Sequence, residues 1–288
     1  MVYFCAMKKF TYLFAIIWIM SCANNISLED SSSDYAHLRA SAYNVEPITR
    51  AVLSDAIKQL SWLVVDGSGS VVASVDQSSE SNAFGTLDAE LPYGSYTLYA
   101  VGHSQSSACA ISKGGVATFA EAKLTDTFCK VRTFTLEKGG KDTLQVHLVR
   151  AVAKFAMKCT DAIQQGASTM EFSFQPGGSE LNVSTGLTAD DPLLTYTRTI
   201  AIPSANIGKK NALFSFYTFL PSESAALYVK AACKDAEGSV LYTREFTDVP
   251  LSINHQTTYT GEFFRSGSDL GGSFGVVSEW GEEQNFEF

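Results

Sequence analysis

The sequence predicts an all-β protein built from β-sandwiches. Three observations lead there. Apolar residues recur with a period of two in segment after segment, turn residues separate those segments at short intervals, and helix signals are scarce. Composition agrees, because aromatic residues reach 12%, with 19 Phe and 12 Tyr, and such side chains suit a pleated, half-buried surface. At about 100 residues per sandwich, 288 residues leave room for two in tandem.

The N-terminus reads as a targeting segment. In "MKKFTYLFAIIWIMSC" two lysines, Lys8 and Lys9, precede an apolar run from Phe10 to Met20, too short for a comfortable membrane span. "IMSC" resembles a bacterial lipobox, which implies cleavage before Cys22 and a lipid on its sulfur. Residues 1–22 are therefore assigned as a lipoprotein signal peptide. The polar stretch "ANNISLEDSSSDY" that follows reads as a tether.

The strand segments follow in order. "IKQLSWLVVDGSGSVVASV" is strand, Asp-Gly-Ser-Gly turn, strand, and the glycines supply the positive φ angles a hairpin requires. "LDAELPYGSYTLYAVGHS" turns at Pro92 and Gly94 into a second long strand. "TFCKVRTFTLEKGGKDTLQVHLVRAVAKFAMKC" gives a strand, a Lys-Gly-Gly-Lys turn and a long strand-like run. "TMEFSFQPGGSELNVSTG" is a strand, a Pro-Gly-Gly turn and a polar segment, and residues 212–251 give three more strands. "TTYTGEFF" and "GSFGVVSEWGEEQNFEF" close the chain. Only "LSDAIKQL" and "CTDAIQQGAS" offer short helical turns. No internal repeat is visible. A boundary near residue 149 divides the chain into sandwiches at 51–148 and 149–288, preceded by a segment at 23–50.

Function classes narrow on the same grounds. A net charge of -9 with 18% charged residues argues against a nucleic-acid surface, which needs clustered Lys and Arg. The four histidines do not fall at metal-ligand spacings, no Cys-x-x-Cys pair occurs, and no phosphate-cradling glycine loop precedes a helix, so no metal and no cofactor is expected. Cys159 and Cys233 each share a strand face with apolar neighbours and point to one core, as a disulfide or as buried thiols. Gly102-His103-Ser104-Gln105-Ser106 approaches the Gly-x-Ser-x-Gly elbow of serine hydrolases. That elbow needs a helix after the serine, however, and "QSSACAISKGGVATF" lacks helical periodicity. Ser104 is expected to be a loop residue and the protein not an enzyme. Asp190-Asp191 reads as a loop pair, and Asp142-Thr143-Leu144 resembles a bacterial O-glycosylation motif.

The ordered set of motifs resembles the Bacteroidia fimbrillin superfamily, in its anchor and accessory branch. The set comprises the lipobox ending at Cys22, "HLRASAYNV" before "ITRA", "LVVDGSGSVV", "LPYGSYTLYAVGHS", "KLTDTF", "LVRAVAKF", "PGGSELNVSTGL", "DVPLSINHQTTYTGEFF" and "SEWG". The resemblance implies two tandem transthyretin-like β-sandwiches. It also implies a role as a subunit or anchor of type V pili, held at the outer-membrane surface by lipid. Other fimbrial subunits would be its partners; a trypsin-like protease would act on it as a cut subunit, whereas members of the anchor branch stay uncut and lipid-tethered and would leave Arg50 a plain linker charge. In that family an early strand completes the N-terminal sandwich until cleavage after an arginine releases it and another subunit's strand replaces it. Carried onto this sequence, the cut falls between Arg50 and Ala51. The removable strand lies within 37–45, with Leu38, Ala40 and Ala42 on its inner face. A strand added to an open sheet satisfies its unpaired backbone groups. The alternative is a surface glycan-binding lipoprotein that presents Trp62, Trp280 or Tyr93 as sugar platforms.

Overall fold

The computed structural model describes residues 35–43, 50–138, 141–265 and 275–276. The chain runs through β1 (Tyr35–Tyr43), α1 (Arg50–Ala56), β2 (Gln59–Asp66), β3 (Val71–Ser78), β4 (Thr86–Pro92) and β5 (Gly94–His103). It continues through β6 (Ala110–Ile111), β7 (Val116–Thr118), β8 (Thr127–Leu136), β9 (Lys141–His147) and β10 (Val149–Arg150). Then come β11 (Ala153–Cys159), β12 (Thr169–Gln175), β13 (Leu181–Asn182), β14 (Leu187–Thr188) and β15 (Tyr196–Ala201). The last strands are β16 (Ala212–Thr218), β17 (Ser224–Lys234), β18 (Val240–Ser252), β19 (Gln256–Gly261) and β20 (Gly275–Val276). The fold is nearly all β.

Two sheets build the N-terminal half, in orders β4-β1-β9 and β10-β8-β5-β2-β3. They enclose one core, which takes Leu38, Ala40, Leu87 and Val146 from the first sheet and Trp62, Val64, Leu98 and Phe134 from the second. Two further sheets, β16-β11-β19-β20 and β15-β12-β17-β18, build the C-terminal half. They enclose a core rich in Phe155, Phe172, Phe174 and Phe216. The central strand pairings of the first half recur in the second, while β10 and β20 have no counterpart. β1 pairs antiparallel with β4 and parallel with β9, while β11 pairs antiparallel with β16 and parallel with β19. β2 pairs antiparallel with β3 and β5, and β5 with β8; β12 pairs likewise with β15 and β17, and β17 with β18. The sequence shows no such repeat, because period-two alternation and core volume define this topology and many different apolar sets satisfy them.

A small fifth sheet, β14-β13-β7-β6, joins the halves by pairing Ala117 of the first with Leu181 of the second. Beneath it lies a third core containing Leu63, Val65, Tyr99, Val101, Phe119, Leu181 and Phe219. β2 is therefore buried on both faces, with Trp62 and Val64 toward one core and Leu63 and Val65 toward the other, which accounts for its unbroken apolar run. Arg150 adds a bidentate pair to Asp126, at 2.6 and 3.0 Å, and reaches Asn254 of the second half at 2.7 Å. Pro176-Gly177-Gly178 turns where backbone and side chains crowd. A Cβ on Gly178 would sit 1.8 Å from Thr188 Oγ1, so only glycine fits there. The described residues form one compact unit.

Two local expectations change. The short helix expected after Ser54 starts earlier, at Arg50, and ends at Ala56, because Gln59 and Leu60 are drawn into β2. The long run before Cys159 breaks into β9, β10 and β11, which lie in three different sheets. The consecutive buried residues Ala151 and Val152 mark the crossing between halves, where alternation is lost.

Candidate functional site

The site centres on β1. This strand lies between β4 and β9, with Leu38 opposite Ala89 on one side and Asp142 on the other. Its inner residues are small apart from one leucine. Leu38 and Ala40 are fully buried, and Ala36 and Ala42 nearly so. They fill a slot lipped by Leu87 and Leu91 of β4 and by Leu144 and Val146 of β9. The outer face carries the polar contacts: Arg39 and His37 each approach Asp88 at 3.7 Å, and Tyr43 stacks on His147 at 4.9 Å. Both ion pairs are about half exposed, so they add little to stability. Beyond the ladder, Ala42 donates its N–H to Gly85 O and Tyr43 O accepts from Leu148 N–H, both at 2.7 Å. The sequence marked Leu38, Ala40 and Ala42 by alternation; the lips at Leu87 and Leu91 carry the same signal in "TLDAELP", which went unused.

α1 follows β1 and presses Leu53 and Ile57 into the same core. Ile57 packs over Gly102, where a Cβ would lie 2.6 Å from its Cδ1. The backbone of Arg50 opens α1, so the Arg50–Ala51 bond falls in the first turn of a helix. Cys22 and Trp280 lie outside the described residues.

His103 and Ser104 separate into different environments. Ser104 is exposed and its N–H binds Asp126 O, and among the described residues no α-helix follows it. The His103 ring is buried, accepts from Gln105 N–H at Nδ1 and meets Phe119 edge-on at 5.3 Å. Burial holds its pKa down at about 4, against a smaller opposing pull from Asp76. Neutral and packed into the third core's edge, it is placed as a structural histidine. Cys159 and Cys233 are buried in one core as free thiols, not as a disulfide. They sit on different sheets, Cys159 on β11 and Cys233 on β17, with side chains directed into the same core. Trp62 is buried at 1% exposure, with its Nε1–H bound to Gln77, and is unavailable as a sugar platform; Tyr93 is half-buried. Thr143 is exposed on the outer face of β9. No group of three metal-ligating side chains converges among the described residues.

The profile of a family of unknown function, DUF6562, matches residues 111–285, more than half of the chain. The chain belongs to the DUF6562 family. The matched region of this DUF6562 protein begins at β6, so β1 and most of the slot around it lie before it. Among solved structures, a candidate adhesin of Bacteroides ovatus is similar at 12% identity and a TM-score of 0.51, covering 87% of this chain and 97% of that one. The fimbrial anchor protein Mfa2 of Porphyromonas gingivalis is similar at 11% identity and a TM-score of 0.43, covering 78% and 90%. A fimbrial assembly protein of Parabacteroides distasonis gives 12% identity and 0.40, covering 82% and 93%. No curated protein matches the sequence. The likeness of the DUF6562 chain to the Bacteroides ovatus adhesin is one of fold alone.

Proposed function

We propose that the protein is a fimbrial subunit or anchor of a type V pilus, built of two tandem transthyretin-like domains at 51–148 and 149–288. In this reading a lipid on Cys22 tethers the uncut chain at the outer membrane, and cleavage after Arg50 releases that lipid together with β1 and lets the remainder assemble with other pilins by β-strand exchange. It performs no catalysis. The observation that carries the reading is the placement of β1. A single strand near the N-terminus fills the middle of a three-stranded sheet, with Leu38, Ala40 and Ala42 buried, and the Arg50–Ala51 bond follows within a few residues. Removal of β1 would open an apolar slot flanked on both sides by unpaired backbone, the surface that an incoming strand completes. Because the bond lies in the first turn of α1, a trypsin-like protease reaches it only when that turn unwinds, which makes cleavage slow in the folded chain.

The test is limited trypsin treatment of the folded precursor, followed by N-terminal mass analysis and sizing. The expected result is a new N-terminus at Ala51 and, once β1 dissociates, a species that binds a synthetic peptide of residues 35–43. Cleavage elsewhere only, or a cut chain that neither loses β1 nor takes the peptide, refutes strand exchange. Lipid labelling that persists in Cys22→Ser refutes the anchor.

A further inference from the structure

Two surface features remain outside the role of β1. The first is the loop Asp190-Asp191-Pro192-Leu193-Leu194. Leu193 is 76% exposed and Leu194 55%, and neither belongs to any of the three cores. The loop is nevertheless held in shape. Asp191 Oδ1 accepts the Leu193 N–H at 2.9 Å, and Asp190 binds the backbone N–H groups of Ser179 and Glu180. Two adjacent leucines fixed in water are a docking feature more than a scattered exposed residue. The second feature is a cleft of about 520 Å³ where the two halves meet. Val131, Val149, Leu187 and Ile253 give it an apolar lining, and Val149 is half exposed within it. Its polar rim includes Lys130, Arg150, Glu223 and His255. Arg150 is committed to Asp126, whereas Lys130 has no carboxylate partner among the described residues. Asp191 likewise has no cation partner among them.

We propose that the cleft of one copy receives the Leu193-Leu194 loop of a second copy, with Asp191 meeting Lys130. The hairpin β13–β14 fixes the relation of the two features. Its turn, Val183 to Gly186, lines the cleft, while its open end leads to Asp190, tied down at Ser179 and Glu180. The loop therefore points away from the cleft of its own chain. A knob and a hole on different surfaces of one chain make a heterologous contact, which repeats head to tail instead of closing a pair. Two leucines bury little area, so each contact is weak and matters where copies are crowded on a surface. The contact does not depend on release of β1.

Sedimentation velocity of the full chain across a concentration series tests the proposal. The wild type is expected to show a sedimentation coefficient that keeps rising with concentration. Leu193→Ser with Leu194→Ser should weaken association by about tenfold or more, as loss of a central apolar anchor does. Asp191→Lys and Lys130→Glu should each weaken it alone. Mixed together they should restore head-to-tail association with the two variants alternating, because each variant's knob then fits only the other's hole. A wild type that stays monomeric to about 1 mM, where even weak contacts register, overturns the proposal. So does association that survives loss of both leucines, or a charge-reversed mixture that fails to associate. Circular dichroism of each variant confirms that the exposed substitutions leave the fold intact.

Discussion

Replacing Leu38 with alanine measures how far β1 is part of the fold. Leu38 is fully buried at the centre of the strand, between same-face neighbours that are themselves only alanines, so nothing within β1 can fill the space it leaves. Large-to-small changes at such sites cost about 2–5 kcal/mol, the higher values where the surroundings cannot collapse. With total stability of about 5–15 kcal/mol, a loss near 3 kcal/mol is a large fraction. For a folding unit of this size it lowers the melting temperature by about 6–12 °C, at roughly 2–4 °C per kcal/mol. The assay is thermal and urea unfolding followed by circular dichroism, with Arg39→Ala as the control. Arg39 lies next in the strand but points outward, with more than half its side chain exposed, and its pair with Asp88 is worth no more than about 1 kcal/mol. If Leu38→Ala and Arg39→Ala behave alike, β1 is not an integral strand, and the slot it is said to fill does not exist in solution.

Three further outcomes are expected. Gly178→Ala should destabilise the protein by at least the 1–3 kcal/mol or so typical of overpacking, since its methyl would collide with Thr188; an unchanged melting temperature contradicts the turn as described. Burial holds the folded-state pKa of His103 near 4, below the ordinary imidazole value of 6.5, so between these values the unfolded chain takes up a proton that the folded chain refuses. Stability should therefore fall as pH drops from about 6.5 to about 4, and His103→Gln should flatten that part of the urea-midpoint profile; identical profiles count against a buried neutral ring. Cys109, Cys129, Cys159 and Cys233 are all buried thiols whose pKa values burial pushes up, to about 11 for Cys109 and Cys233 and about 12 for Cys129. None should react with a thiol reagent at pH 8 until the chain is unfolded, whereupon all four should; a missing pair of labels reveals a disulfide.

The strands were legible where one face meets a core and the other meets water. Leu38, Ala40 and Ala42 alternate cleanly, and Asp66 to Gly69 turns the first hairpin as its glycines require. The junction sheet was not legible. Its strands are two or three residues long, too short for a period to show, and "ISKGGVATF" and "SELNVSTGLT" read as loops. Nothing in the sequence singles out the exposed leucines at 193 and 194, because exposure is a property of the folded neighbourhood and not of the residue. The shared core of Cys159 and Cys233 could be read from their strand faces, but their placement on opposite sheets depends on β11 and β17 going to different layers, which alternation does not encode.

The repeated topology has a directional consequence. β1 and β11 occupy the same place in their respective halves, each flanked by one antiparallel and one parallel neighbour. Their positions along the chain differ. Only chain upstream of the N-terminal copy precedes β1, so one scission after it severs it from everything it is packed against. β11 is threaded between β10 and β12, and no single scission can detach it. Of two equivalent slots, one can be emptied by a single broken bond and the other cannot. A chain made of two like halves thereby acquires one end that can open and one that stays shut, and any assembly built through the open slot inherits that polarity.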